Sequence, residues 1–134
     1  MPCDIFAPCA LGGVIDDDTL PELACAAVAG SANNVLARPE HGRILREMGV
    51  LYAPDYVINA GGLINVHDEL RGYNAERARA RVEGIFDNVR LVFQRAREEG
   101  IPTSQAADRL AEERMRTVSR VGLIRVLPNI SPPR

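Results

Sequence analysis

No lysine occurs anywhere in the chain, and all 16 of its basic residues are arginine. That absence excludes a Schiff-base lysine, a lysine general base and a P-loop lysine. The all-arginine surface itself reads as genome composition. Tryptophan is missing too, and aromatics reach only 4%, so a core must rest on Val, Leu, Ile and Ala. The three cysteines, Cys3, Cys9 and Cys25, form no CxxC pair, and His41 and His67 are too few and too scattered for a metal cluster. A disulfide framework and a structural zinc site are therefore not expected, and a reduced setting is. No run approaches the roughly 20 apolar residues of a membrane span. No basic-then-apolar leader is seen, so secretion is not indicated and a cytoplasmic location is expected. A net charge of −2 provides no electrostatic footprint for nucleic acid.

What remains is an ordinary globular mixture. The 134 residues are 46% apolar and 25% charged, the size and composition of one domain. Short apolar runs alternate with breaker clusters over the first 60 residues. Asp4-Ile5-Phe6-Ala7 reads as a buried strand stopped by Pro8, and Ala26-Ala27-Val28-Ala29 as a second, closed by Gly30. Val50-Leu51-Tyr52 is a third run, followed by Ala53-Pro54-Asp55 and Tyr56-Val57-Ile58. Continuous rather than alternating runs suit a parallel sheet covered on both faces. Between the second and third, Pro39 fits the first position of a helix and Gly49 the residue past its end, with Ile44, Leu45 and Met48 as the apolar stripe. The order strand, helix, strand points to βαβ units. Asp16-Asp17-Asp18 could hold a metal, but three acids before Thr19 with no spaced second ligand group read better as a loop opening a helical turn.

After residue 60 the period becomes helical. Leu63, Val66, His67 and Leu70 share one face. A turn at Arg71-Gly72-Tyr73-Asn74 leads to a long helix with Val82, Ile85, Phe86, Val89, Val92, Phe93 and Ala96 as its stripe, ending at Gly100 before Pro102. Thr103 or Ser104 can cap a further helix with Ala107, Leu110, Ala111 and Met115 on one face. From about Arg120 a tail with Pro128, Pro132 and Pro133 is expected to be loose.

Small residues and amides gather just after each expected strand: Ala7 to Gly13, Gly30 to Asn34, and Asn59 to Gly62. Turn chemistry accounts for any one of these. Three in succession also fit a ligand site, because open parallel sheets bind ligands beyond the carboxyl ends of their strands. Two glycines in the first turn of a helix cost about 1 kcal/mol each relative to alanine. Something lying against that turn, or a closely packed backbone, would explain Gly61 and Gly62.

The segments CDIFAPCALGG (3–13), AGSANN (29–34) and LYAPDYVINAGGLINVHDEL (51–70) closely resemble the glutamate/leucine/phenylalanine/valine dehydrogenases, leucine dehydrogenases in particular. VEGIFDNVRLVF (82–93) and GIPTSQAADRLAEERM (100–115) continue the resemblance, which thus covers residues 3 to about 116. It implies an α/β fold, the second half of a Rossmann-type NAD-binding domain with about three parallel strands near 3–7, 26–30 and 50–58, followed by C-terminal helices. Together with the proline-bearing tail, this gives an expected domain over 1–119 and a flexible tail over 120–134. The resemblance implies NAD-dependent oxidative deamination of a branched-chain L-amino acid to a 2-oxo acid by a complete, homo-oligomeric enzyme.

The family's catalytic lysine in Gly-Gly-x-Lys, its GxGxxG unit and its ribose-reading acid are not in this chain. The isolated chain is accordingly expected to be inactive, with no catalytic residue of its own, and to bind NAD weakly. Carried over by position, Ala7, Pro8, Cys9 and Ala10 would lie along the cofactor, with Ala32, Asn33 and Asn34 near its nicotinamide half. Asn59 would be a further cofactor-side polar group, and Leu63 and Val66 would line the substrate pocket. Cys9 is not a nucleophile in the enzymes it resembles. The alternative is a non-catalytic remnant or assembly module that pairs through an exposed sheet edge.

Overall fold

The computed structural model describes residues 2–70 and 72–125, with side chains through residue 118. Three short strands form one parallel sheet in the order β1-β2-β3: β1 is Cys3–Phe6, β2 is Cys25–Val28 and β3 is Leu51–Tyr52. Cys3 pairs with Cys25, Phe6 with Val28, and Val28 with Tyr52, so the carboxyl ends of the strands lie side by side. An isolated parallel bridge between Ile15 and Leu36 extends this contact beyond the strands. The fold is α/β, as the apolar runs indicate.

Helix α1, Glu40–Glu47, starts after Pro39 and closes at Gly49, whose φ of +77° no residue with a side chain adopts easily. Its Leu45 enters a core with Ile15, Leu20, Val28, Val35 and Tyr52, while Met48 at the helix end stays exposed. The acidic loop serves this region locally. Asp16 Oδ1 accepts from the Thr19 N–H at 2.8 Å, the Thr19 hydroxyl at 2.9 Å and the Asp18 N–H at 3.1 Å. Those bonds set up the single 3-10 turn Leu20–Glu22.

The third apolar run does not continue as a strand to residue 58. Pro54 has no N–H to give to a ladder, and the chain turns there into α2, Asp55–Ile58, so Tyr56, Val57 and Ile58 are helical. The Thr103 hydroxyl donates to the Tyr52 carbonyl at 2.6 Å, so Thr103 anchors the next helix to the sheet.

Helices α3 (Gly61–Glu69), α4 (Ala75–Glu99) and α5 (Thr103–Arg125) complete the chain. Asn74 caps α4 by accepting from the Arg77 N–H at 2.8 Å, and Gly100 ends it with φ +65°. The second half of the α4 stripe is buried: Val92 and Ala96 pack on Ala106 and Ala107 of α5. The first half is not, and Phe86 is 72% exposed. The expected stripe of α3 is likewise uncovered, with Leu63 75% and Val66 54% exposed and Leu70 open as well. Periodicity shows which face is apolar; here no part of the described chain covers that face. Helix α5 runs past residue 120 to Arg125; the rest of the expected tail, 126–134, lies outside the described residues. Strand β1 is an edge strand, and Ile5 on it is exposed.

The buried residue of α3 is Asp68, which holds α3 to α4 through the Arg77 guanidinium and also accepts from the Asn74 N–H at 2.8 Å. These donors, Arg77 first, keep the Asp68 carboxyl below its ordinary 3.8. Unfolding returns it to the ordinary value. Its stabilising contribution is therefore complete above that pH and is lost as pH falls through the lower folded value. Thermal melts should show the midpoint dropping as acid is added below pH 3.8, with a shallower drop in Asp68→Asn. Equal acid slopes in the two proteins would overturn this assignment.

Candidate functional site

The loops that leave the three strands are knitted together by their backbones. The buried Pro8 accepts from the Ala32 N–H at 3.0 Å, and the Gly13 N–H donates to the Asn34 carbonyl at 2.7 Å. Gly30 lies so close to Pro8 that a Cβ would sit 2.0 Å from the Pro8 carbonyl oxygen, so the crossing of these two loops requires glycine. Around it, Ala7, Cys9 and Ala10 are exposed and border the seam. Ala32 is buried in the core and offers the site only its backbone.

The third loop joins through side chains. Asn59, the residue that ends α2, donates its amide nitrogen to Asn33 Oδ1 at 2.6 Å and approaches the carbonyls of Ser31 and Ala32 at 3.4 Å. Two residues 26 positions apart in sequence thus form one amide pair. Among the described residues, the Asn33 amide nitrogen and Asn59 Oδ1 have no partner. The pair therefore presents one donor group and one acceptor, an arrangement that suits a carboxamide or a pair of sugar hydroxyls. It lines an open cleft of about 640 Å³ with Ser31, Asn34, Gly62 and Leu63. Val66 stands one turn further along α3, outside this cleft.

Gly61 and Gly62 now have a clearer meaning. A Cβ placed on either would meet no atom of the described chain within 4 Å. Close backbone packing within the chain does not account for them, and the first turn of α3 is open to something else.

The ionisable groups nearby are mostly committed. Asp55 accepts from the Tyr52 hydroxyl at 2.9 Å and from the Asn34 N–H. Burial, more than Asp55, pushes the Tyr52 phenol up. Burial and then Asp108, which accepts the Tyr56 hydroxyl at 2.7 Å, do the same for Tyr56. Hydrogen bonding from Ser31 holds the exposed Cys9 thiol below its ordinary value. His41 is buried away from the cleft, accepting the Arg38 N–H at 3.1 Å on Nδ1 with Nε2 3.2 Å from Asp17. No group of three His, Cys, Asp or Glu that could hold a metal ion occurs among the described residues. No described helix is long and apolar enough to cross a membrane. Asp55 was not legible as part of the site, because it falls inside the run 50–58 that reads as the third strand, and its partner Asn34 is 21 residues away.

Comparison with known proteins shows which family the chain resembles in sequence and fold. The sequence profile described as Glutamate/Leucine/Phenylalanine/Valine dehydrogenase matches residues 1–121. A leucine dehydrogenase of Geobacillus stearothermophilus is 60% identical over 118 residues, which are 88% of this chain and 32% of that protein. The crystal structure of L-tryptophan dehydrogenase from Nostoc punctiforme superposes with a TM-score of 0.86 at 48% identity, covering 90% of this chain and 36% of that one. A hetero-hexameric glutamate dehydrogenase from Thermus thermophilus, in its Leu-bound form, gives a TM-score of 0.70 at 26% identity, over 96% of this chain and 31% of that one. The chain therefore spans about a third of the length of these relatives.

Proposed function

The chain belongs to the glutamate/leucine/phenylalanine/valine dehydrogenase family, and from that premise we propose that it forms the nicotinamide side of an NAD site in an enzyme that oxidatively deaminates a branched-chain L-amino acid. The observation that carries this reading is the Asn33–Asn59 amide pair above the carboxyl ends of the strands. The residues fit the cofactor. The free donor and acceptor match a carboxamide, the Pro8–Gly30 seam lets a flat group approach the backbone, and the open first turn of α3 leaves space beside it. When bound, NAD supplies the hydride acceptor. Asn33, Asn34 and Asn59 orient its nicotinamide end, with the Ala32 backbone beneath them. Ala7, Pro8, Cys9 and Ala10 run along the cofactor, and Leu63 and Val66 face the substrate side chain. We place the complete enzyme in the cytoplasm as a homo-oligomer; the hetero-hexameric Thermus thermophilus relative supports assembly into an oligomer, not identity of its subunits.

Binding by this chain alone is expected to be weak. Dinucleotide sites depend on a glycine loop and a helix N-terminus to hold the pyrophosphate, and the chain contains no GxGxxG. Titration of the labelled chain with NAD, followed by amide NMR, should give a Kd on the order of millimolar. The perturbed resonances should be those of Asn33, Asn34 and Asn59. Micromolar binding, or perturbations confined to other residues, would contradict the reading.

The exposed edge at β1 and Ile5 favours a second reading, a non-catalytic module that pairs through that strand. Stable self-association in sedimentation, abolished by Ile5→Lys, would support it. A GxGxxG unit and a Gly-Gly-x-Lys lysine in frame upstream in the coding sequence would support the enzyme.

A further inference from the structure

One carboxylate fastens the turn that carries the Asn33 half of the amide pair. Asp55 is 7% exposed, both of its carboxylate oxygens are engaged, and its backbone carbonyl takes the helical bond that closes α2. Its Oδ2 accepts from the Asn34 N–H, its Oδ1 from the Tyr52 hydroxyl at 2.9 Å, and its backbone carbonyl from the Asn59 N–H at 2.8 Å. Asn34 has φ +54°, a left-handed conformation that asparagine tolerates better than most residues but that needs support. Asn33, the residue before it, carries the accepting oxygen of the pair, and Asn59 carries the donor.

Resting on the cofactor reading above, we infer that Asp55 is a positioning residue: through the Asn34 turn its carboxylate sets the spacing and orientation of the Asn33 amide against that of Asn59, the two amides that meet the nicotinamide end. Burying a carboxylate is costly, and an apolar residue of similar size often serves a core as well or better. An apolar side chain here, however, would leave the Asn34 N–H without its partner and release the left-handed turn. Tyr52 gives the second constraint, since its hydroxyl holds the other carboxylate oxygen and so fixes the plane of the group.

The test compares the labelled full chain with Asp55→Asn and Tyr52→Phe by amide NMR, with and without NAD as the probe. In Asp55→Asn, the backbone amide of Asn34 and the side-chain amides of Asn33 and Asn59 should shift while those of α4 and α5 stay in place. The NAD-dependent changes at Asn33 and Asn59 should be lost. A purely structural role would instead spread small shifts over the core or unfold the protein without selecting these amides. Tyr52→Phe keeps the Asn34 contact and frees only the carboxylate plane, so it should move the same three residues less. If Asp55→Asn folds and these resonances stay in place, the inference fails. If it does not fold, Tyr52→Phe decides, and unmoved amides at Asn33, Asn34 and Asn59 overturn the inference. Failure of the cofactor reading is distinct: the unsubstituted chain would show no NAD-dependent change at Asn33 or Asn59, whatever the variants do.

Discussion

Given NAD and L-leucine, L-valine or L-isoleucine, the purified chain will form no NADH above the rate without protein. Oxidative deamination needs a group that takes a proton as hydride leaves, and a positioned general base contributes roughly 10²–10⁴-fold. The chain has no lysine to do this. His41 is buried, with both ring nitrogens engaged by Arg38 and Asp17, and His67 does not line the amide cleft. Asp55 is bound to Tyr52 and Asn34, and burial keeps the Tyr52 and Tyr56 phenols protonated. Cys9 alone among these groups has its ionised form favoured, through Ser31. Cys9→Ala is therefore the informative control, and it should be as inactive as the parent. Sustained, protein-dependent NADH formation from material freed of host dehydrogenases would overturn the assignment of the missing base. Loss of that activity in Cys9→Ala would identify the thiol as the group overlooked.

The parts of this fold legible in sequence are those set by local chemistry. Gly49 and Gly100 mark helix ends because their positive φ is a local requirement. The strands near Phe6, Val28 and Tyr52 show as apolar runs, the pattern of a parallel sheet covered on both faces, although in the described chain Ile5 of β1 and Leu51 of β3 are left exposed. Pro54 carried the information that ends β3, but the apolar Tyr56-Val57-Ile58 run masked it. The exposed faces at Leu63, Val66 and Phe86 were legible as apolar, whereas their covering was not, since periodicity holds no information about a neighbour. The amide pair and its support were beyond sequence reading for a different reason. Asn33 and Asn59 are 26 residues apart and Asp55 and Asn34 are 21 apart, and only the parallel register of the strands brings them together.

In an enzyme completed with the upstream part of the Geobacillus stearothermophilus leucine dehydrogenase, leucine should exceed glutamate in kcat/KM by about 10³-fold or more, the scale expected when a carboxylate is buried without a partner. Helix α3 carries no arginine or lysine to pair with that carboxylate, and its one basic side chain is His67 near its end. Leu63 and Val66 are apolar and exposed on it, Asp68 is already paired with Arg77, and Glu69 would repel a second acid. Discrimination among leucine, isoleucine and valine should be smaller, because one methylene is worth about 1–3 kcal/mol in an apolar pocket. Val66→Ala removes two methyl groups one helical turn beyond Leu63. It should weaken the smaller substrates, valine most, and raise phenylalanine relative to leucine by roughly tenfold, within that same range. Rates measured across the five amino acids in both proteins check this. If glutamate is the best substrate, or if Val66→Ala leaves the order of aliphatic and aromatic substrates as it was, Leu63 and Val66 do not form the pocket wall. The apolar face of α3 would then serve packing in the complete protein instead.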